Sequence, residues 1–414
     1  MRQTVLTFIT AIDPGRKPEL KDIFATISGN LLTNSYIPFP SIKLLHFASF
    51  VIANEAEPSS LLIFENNFDG DVSEYLNELL LAAGPGLHQI YRCCSDYHET
   101  TFQQQKLKQY LESKIKPPNA FHIGNVGRAA SVIKENQQVR EKLQTGLDDL
   151  FSKRPPADYT PENLRKEMLA IVTAGQPGLA TPLPPHQTLA EKIIPWIRLI
   201  LIGLILFLIL LIPALIALPF LRRLEKTDEV DTTPPSASDI EQFIGTENRI
   251  TQNHLAVITD IKAPKFRLYL LRFVLYAVNL VARIATKGKL SGIPSIHFAH
   301  WSIINEGKQM LFLSNYDGSW ISYLDDFIDK AATGLTGIWS NSFGFPLTSF
   351  LVLDGARDEL RFKAYSRNHQ VASRVWYSAY RDLTVQNIDK DSKIREGIPK
   401  TLSKTETEAW LKLF

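Results

Sequence analysis

Apolar residues fall in short runs that recur in the same order on both sides of the chain's middle. A β-branched, aliphatic run opens each half, at 5–12 and 255–261, and apolar positions at helical spacing follow at 18–28 and 266–286. Two more apolar runs come next, 42–52 with 61–64 and 296–304 with 310–313. An Asp-Gly turn then leads into a second helical stretch, 72–83 or 320–332, and a last strand is predicted near 121–124 or 375–379. The residues themselves repeat. LTFITAI at 6–12 pairs with LAVITDI at 255–261, and His46-Phe47-Ala48 with Asn54-Glu55 pairs with His297-Phe298-Ala299 with Asn305-Glu306. Asn67-Phe68-Asp69-Gly70 answers Asn315-Tyr316-Asp317-Gly318, and Lys108, Tyr110 and Val139-Arg140-Glu141 answer Lys363, Tyr365 and Ile394-Arg395-Glu396. Order and spacing are kept through each half, which predicts the β-α-β-β-α-β unit twice over. The expected fold is therefore α+β: two tandem ferredoxin-like repeats, residues 1–150 and 246–414, paired about a pseudo-twofold axis into a pseudo-dimeric α/β barrel.

Between the repeats, 199–221 reads LILIGLILFLILLIPALIALPFL without a charged residue, longer than the roughly 20 residues that cross a hydrocarbon core. Trp196 and Arg198 stand at its start and Arg222, Arg223 and Lys226 at its end, the aromatic and basic residues that favour a bilayer interface. The expectation is a central hydrophobic membrane segment over 193–223. Pro213 and Pro219 leave a single span and a re-entrant hairpin both open. Burying two matched halves against each other favours the hairpin, with both repeats on the cytoplasmic side. Residues 1–10 read as a strand rather than a signal peptide. Proline-rich stretches flank the segment, at 151–192 and 224–245, and read as extended linkers.

With 45 Lys+Arg against 43 Asp+Glu the formal charge is +2, which gives no footprint of a nucleic-acid binder. The two cysteines, Cys93 and Cys94, are adjacent and badly placed to pair. A disulfide-stapled scaffold is excluded and a reducing compartment expected. The sequence has no Gly-rich phosphate loop, G-x-S-x-G elbow or H-E-x-x-H motif, so nucleotide hydrolysis, serine hydrolysis and zinc proteolysis lose their usual support. One local bias stands out: from Ile261 to Asn305 there are seven basic residues and no acidic one. Lys265, Arg272, Tyr276, Asn279 and Arg283 share one helical stripe. Together with Arg222 and Arg223, the basic groups Lys265, Arg272 and Arg283 are expected to face an anionic membrane surface; the alternative is a solvated stripe.

His46 and His297 occupy the same repeat position in an apolar strand, and His300 is expected on the opposite face, because strand residues three apart point apart. A histidine there can ligate haem or a metal, or it can be a satisfied core group. Asp69-Gly70-Asp71 and Asp317-Gly318-Ser319 mark strand-to-helix turns, with glycine supplying the backbone and Asp71 or Ser319 the cap. In the other reading Asp317 is an acid–base group at the mouth of a pocket. His369 and the run at 375–381 gather polar and aromatic groups in the second half, which singles out that half as the pocket-bearing one. His46, His300, His369, Trp376 and Tyr377 are the predicted ligand-binding residues.

The two units, with their repeated His-Phe-Ala and Asn-aromatic-Asp-Gly motifs, resemble bacterial membrane proteins of about this size. Their duplicated architecture resembles the dimeric α/β-barrel superfamily of dye-decolorising peroxidases and chlorite dismutases. The resemblance covers both halves but not the middle segment or the linkers. It implies a haem enzyme in which His297 holds the iron, Asp317 is the distal acid–base group and Arg381 stabilises charge. The Gly-x-x-Asp-Gly motif of those peroxidases departs here, with Asn66 and Ser314 in place of the leading glycine. Three functions follow: binding of a small or lipid-like ligand at the membrane surface, a haem-dependent peroxidase-like oxidoreductase, and a non-enzymatic membrane scaffold. Membrane lipids, a small-molecule ligand and a second copy of the chain are the expected partners.

Overall fold

Mixed helices and antiparallel strands follow the order of the apolar runs. In the computed structural model, which describes residues 2–175, 189–284, 290 and 292–414, the first half comprises β1 (Gln3–Ala11), α1 (Lys17–Gly29), β2 (Leu45–Ala53), β3 (Leu61–Asp69), α2 (Val72–Tyr91), α3 (Gln104–Ser113), β4 (Ile115–Lys116), β5 (Ala120–Ile123) and α4 (Ala130–Lys153). Three helices lie in the middle, α5 (Pro161–Gly175), α6 (Leu189–Glu225) and α7 (Ala237–Ile244). The second half comprises β6 (Gln252–Asp260), α8 (Lys265–Ile284), β7 (Ile296–Ile304), β8 (Gln309–Asp317), α9 (Trp320–Trp339), β9 (Thr348–Ser349), β10 (Leu353–Asp354), α10 (Glu359–Asn368), β11 (Ser373–Ser378), α11 (Val385–Gly397) and α12 (Lys404–Leu411).

The helices that cover the sheets form because each presents one apolar stripe to the strands beneath it, while α4, α5, α11 and α12 bury theirs against one another. In α1, Leu20, Ile23, Phe24 and Ile27 recur at helical spacing and are buried. Asp71 caps α2 by accepting from the Ser73 and Glu74 amides, and Ser319 caps α9 through the Ser322 amide. Gly70 and Gly318, with φ of 87° and 78°, supply the left-handed turn that precedes each cap. Both faces of β2 and β7 are buried, one under helices and one against the other sheet, and both strands read accordingly as continuous apolar runs.

Sheet order departs from two self-contained units. The first sheet runs β11-β2-β3-β1-β4 and the second β5-β7-β8-β6, so each half lends its last strand to the other half's sheet. The two sheets pack face to face, with Val51, Ile63, Ala256, Ile258, Leu311 and Leu313 in one apolar cluster between them. The closed pseudo-dimeric barrel is therefore corrected to two open sheets. Closure fails because the crossing segments leave one sheet's edge as they reach the other. The first pairs with β1 only over Ile115–Lys116 and then reaches Pro117 and Pro118, which have no amide to donate, before β5 pairs with β7.

The segment expected to enter a membrane lies in α6, one continuous helix that runs through Pro213 and Pro219 without turning back, so the hairpin is corrected. Side chains at 205–215 lie outside the described residues, and among the described residues no helix is long and apolar enough to cross a membrane. The membrane segment over 193–223, and the transmembrane helix with it, is corrected on that finding. The last turn of α6 is bound into the second unit: buried Glu225 accepts from the Phe350 and Leu351 amides, and Arg222 donates to the Thr348 carbonyl. The proline-rich stretch from 151 holds α5, whose Met168 and Val172 pack with Val139, Leu143, Ile394 and Trp410; residues 176–188 lie outside the described residues.

Strand exchange makes Gly124 a sensitive position, because a Cβ there would stand 2.2 Å from the carbonyl oxygen of Ile296 on β7. Gly124→Ala is expected to cost about 1–3 kcal/mol as backbone shifts to relieve the overlap, read as a lowered thermal unfolding midpoint. An unchanged midpoint would refute the docking of β5 on the second sheet.

Candidate functional site

Between the two sheets lies a band of buried histidines and carboxylates arranged with the repeat symmetry. His46 Nε2 stands 3.1 Å from Asp69 Oδ1, and His297 Nε2 is 2.7 Å from Asp317 Oδ1. A bulge aims each histidine, since pairing slips by one residue between Leu45 and Phe47 and between Ile296 and Phe298. Each imidazole packs against the phenylalanine that follows the other histidine, His46 on Phe298 at 5.3 Å and His297 on Phe47 at 5.2 Å between ring centroids.

The second oxygen of each aspartate holds a helix. Asp69 Oδ2 accepts from the Ala130 amide at 2.8 Å and Asp317 Oδ2 from the Val385 amide at 2.8 Å, the first residues of α4 and α11. The residue before α4 is Ala129, whose side chain cannot cap, so Asp69 supplies the missing acceptor from another element. Because α4 follows a strand of the second sheet and Asp69 ends a strand of the first, this contact ties the sheets together. Asp317 and α11 repeat it in reverse.

Tyr380 breaks the symmetry. Its hydroxyl lies 2.9 Å from His46 Nδ1, and its ring packs on both histidines and on Phe47. Burial first, and then the carboxylates of Asp69 and Asp317, hold its phenol well above the ordinary range. A neutral phenol can donate to Nδ1, which leaves the Nε2 hydrogen of His46 facing Asp69.

A third group lies farther along the band. Glu65 Oε2 is 2.9 Å from His254 Nε2 and accepts from Ser49 Oγ at 2.9 Å, while Oε1 accepts from Asn67 and Asn315 and lies 3.6 Å from His300 Nδ1. Burial alone would raise this carboxyl, but the hydrogen bond and charge of His254, aided by His300 and Asn67, outweigh it and hold it at about 2. Burial pushes His300 down to about 4, although Glu65 pulls the other way; its Nε2 is 2.9 Å from Thr7 Oγ1. Trp376 donates from Nε1 to Asn315 Oδ1 at 2.8 Å and stacks beside His254.

The structure thus brings together five residues singled out from the sequence: His46, His297, His300, Asp317 and Trp376. His300 faces the other sheet together with His297 instead of opposite it, because the bulge at His297 resets the strand's alternation. Tyr377 lies on the outer face of the first sheet, stacked on Phe39 at 4.7 Å. His369 ends α10, with Nδ1 2.9 Å from the Tyr365 carbonyl, and takes no part in the band. Arg381 is exposed. Arg222 is bonded to Thr348 and Glu225, Arg223, Lys265 and Arg272 are exposed, and the side chain of Arg283 lies outside the described residues. Sequence reading missed Glu65 and His254, and placed Tyr380 only within the aromatic run at 375–381 without a role in the site. Glu65 carried a signal, because a carboxylate in step with Ile63, Asn67 and Asp69 lies on one strand face.

The band does not fit a haem. His297 Nε2 is engaged by Asp317, Nδ1 is buried, and Phe47 and Tyr380 pack on the ring, so a macrocycle beside it would have to displace core side chains. Among the described residues no group of three or more His, Cys, Asp or Glu is arranged to hold a metal ion. No family model, curated protein or solved structure matches the chain.

Buried neutral histidines give the fold a pH dependence of fixed sign. His300 and His122 are both held near 4 by burial, so as pH falls below about 6.5 the unfolded chain takes up protons that the folded chain refuses. Stability should fall by about 1.4 kcal/mol per pH unit for each such group between 6.5 and 4. The Glu65 contribution is complete above the unfolded carboxyl value and is lost only as pH drops from about 4.5 towards 2. Denaturant unfolding at pH 7 and pH 5 checks this: His300→Gln and His122→Asn should each remove about one proton from the slope, and unchanged slopes in both would refute it.

Proposed function

We propose that the chain is a non-enzymatic scaffold, a pseudo-dimer fused into one polypeptide that offers its outer helices and hairpins as fixed binding surfaces. The observation that carries this reading is the engagement of the acid–base groups between the sheets by protein partners that join one half to the other. Asp317 meets His297 and the amide opening α11, Asp69 meets His46 and the amide opening α4, and Glu65 meets His254, Ser49 and two asparagines. General acid–base chemistry needs such a group within hydrogen-bond reach of a substrate. Here His46, His300 and Glu65 are wholly buried and Asp317 is 9% exposed. A partly open cleft in the second unit, between β6 and α9 beside Leu255, Val257 and Trp339, measures about 20 Å³, room for a single water.

Absorption spectroscopy tests the reading. Adding haem to the purified chain should give the same spectrum with the wild type and with His297→Ala. A Soret band present in the wild type and lost in that variant would overturn the scaffold reading in favour of a haem protein. In the same preparations Asp69→Asn and Asp317→Asn should each lower unfolding stability by about 1–3 kcal/mol, the cost of leaving a buried partner unsatisfied.

A further inference from the structure

We propose that the outer face of α8, with the β9–β10 hairpin beside it, lies flat against an anionic lipid surface. Lys265, Tyr269, Arg272, Phe273 and Tyr276 recur at intervals that place them on one stripe of α8, and all five are exposed, Tyr269 by 61%. Leu271 and Leu275 on the opposite side are fully buried against the second sheet's core. The fold does not need this outer composition. In the first repeat α1 packs over β11 as α8 packs over β5, yet its exposed positions are ordinary polar and charged ones, among them Glu19, Lys21, Asp22 and Thr26.

Charge on the stripe has one sign. Lys262 and Arg267, at the base of α8, are paired with Asp228 at 2.8 and 2.5 Å. That leaves Lys265 and Arg272 on the outer face, with the Arg272 guanidinium 5.7 Å from the Tyr269 ring. Alternating aromatic and basic side chains suit the interface of an anionic bilayer, where rings settle at headgroup depth and cations meet phosphates.

The hairpin extends the same face. Phe350 and Leu351 hold φ of 51° and 72°, a left-handed conformation that costs energy for side chains of this kind. The buried Glu225 carboxylate secures it by accepting from both amides at 2.9 and 2.7 Å, and the Arg222 guanidinium lies 5.4 Å from the Phe350 ring. The result is a turn fixed with Leu347, Phe350 and Leu353 each at least half exposed. Val352 of the hairpin and Val274 of α8 both approach Gly337 of α9, so the two elements stand side by side.

Co-sedimentation of the full chain with phosphatidylcholine vesicles, with and without phosphatidylserine, tests the assignment. Binding should require phosphatidylserine and weaken as salt is raised. Lys265→Gln should lower it about 5-fold and Lys265→Gln with Arg272→Gln about 25-fold, with the thermal midpoint unchanged because both side chains are exposed. Tyr269→Ser with Phe273→Ser should weaken binding further, while the matched α1 change Lys21→Gln should leave it alone. Equal binding by wild type and α8 variants would overturn the proposal. So would dimerisation without lipid that the same variants abolish, which would give the face to a second copy.

Discussion

Asp69 and Asp317 end their strands inside the protein, and a buried carboxylate without matched donors costs several kcal/mol. The partners come from two places at once. One oxygen faces a histidine on the neighbouring strand, and the other accepts from the first amide of a helix that follows a strand of the opposite sheet. That amide arrives only because β5 and β11 have crossed between sheets. The exchange of strands, the bulges that aim His46 and His297, and the capping of α4 and α11 are consequently one device. Half a chain would leave its aspartate short of a donor and the apolar inner face of its sheet in water, so each repeat depends on the other for both polar and hydrophobic reasons.

The repeat was legible because strand and helix formation are local: β-branched runs, helical spacing and Asp-Gly turns specify where β1, α1, β2, β3 and α2 and their counterparts begin, although α2 and α9 run on to Tyr91 and Trp339, well past the expected ends at 83 and 332. The exchange of last strands was not legible. Ala120–Ile123 and Ser373–Ser378 have the same alternation whether they pair at home or across the molecule, and only the partner edges distinguish the two arrangements. The bulges were hidden for a similar reason. An extra residue opposite the partner strand leaves no trace in composition, yet it turns His297 onto the same face as His300. Tyr380 lies two residues beyond β11, where no periodicity applies, and its place between the histidines follows from the crossing alone.

Differences between the repeats separate what the fold demands from what it tolerates. Glu65 occupies the position of Leu313, and His254 the position of Val5, as the matching registers of β1 with β3 and β6 with β8 require. Leu313 and Val5 are both buried, in separate apolar clusters between the sheets, so apolar residues fill these positions where the other copy carries charged ones. This agrees with the general finding that hydrophobic residues can replace buried ion pairs without loss of stability. What Glu65 and His300 add is a dependence on pH that the apolar version lacks. The pairs at Asp69 and Asp317 are kept in both copies because helix capping and sheet pairing both pass through them.

The same comparison applied to the outside of the molecule favours α8 and its hairpin as the working surface. Helices α1 and α8 do the same structural task, each covering the strand received from the other half, and α1 does it with a mixed polar exterior. A large exposed aromatic on such a helix gains nothing from packing and carries a risk of unwanted association. Tyr269, Phe273 and Tyr276 persist on one stripe with Arg272 among them, and beside them a turn is held in a costly backbone conformation by a buried glutamate whose carboxylate also meets Arg222 and Thr348. Strain of that kind is retained where the surrounding structure enforces it. In this chain it keeps Phe350 in water beside α8, an arrangement that makes physical sense when that face meets something apolar and negatively charged.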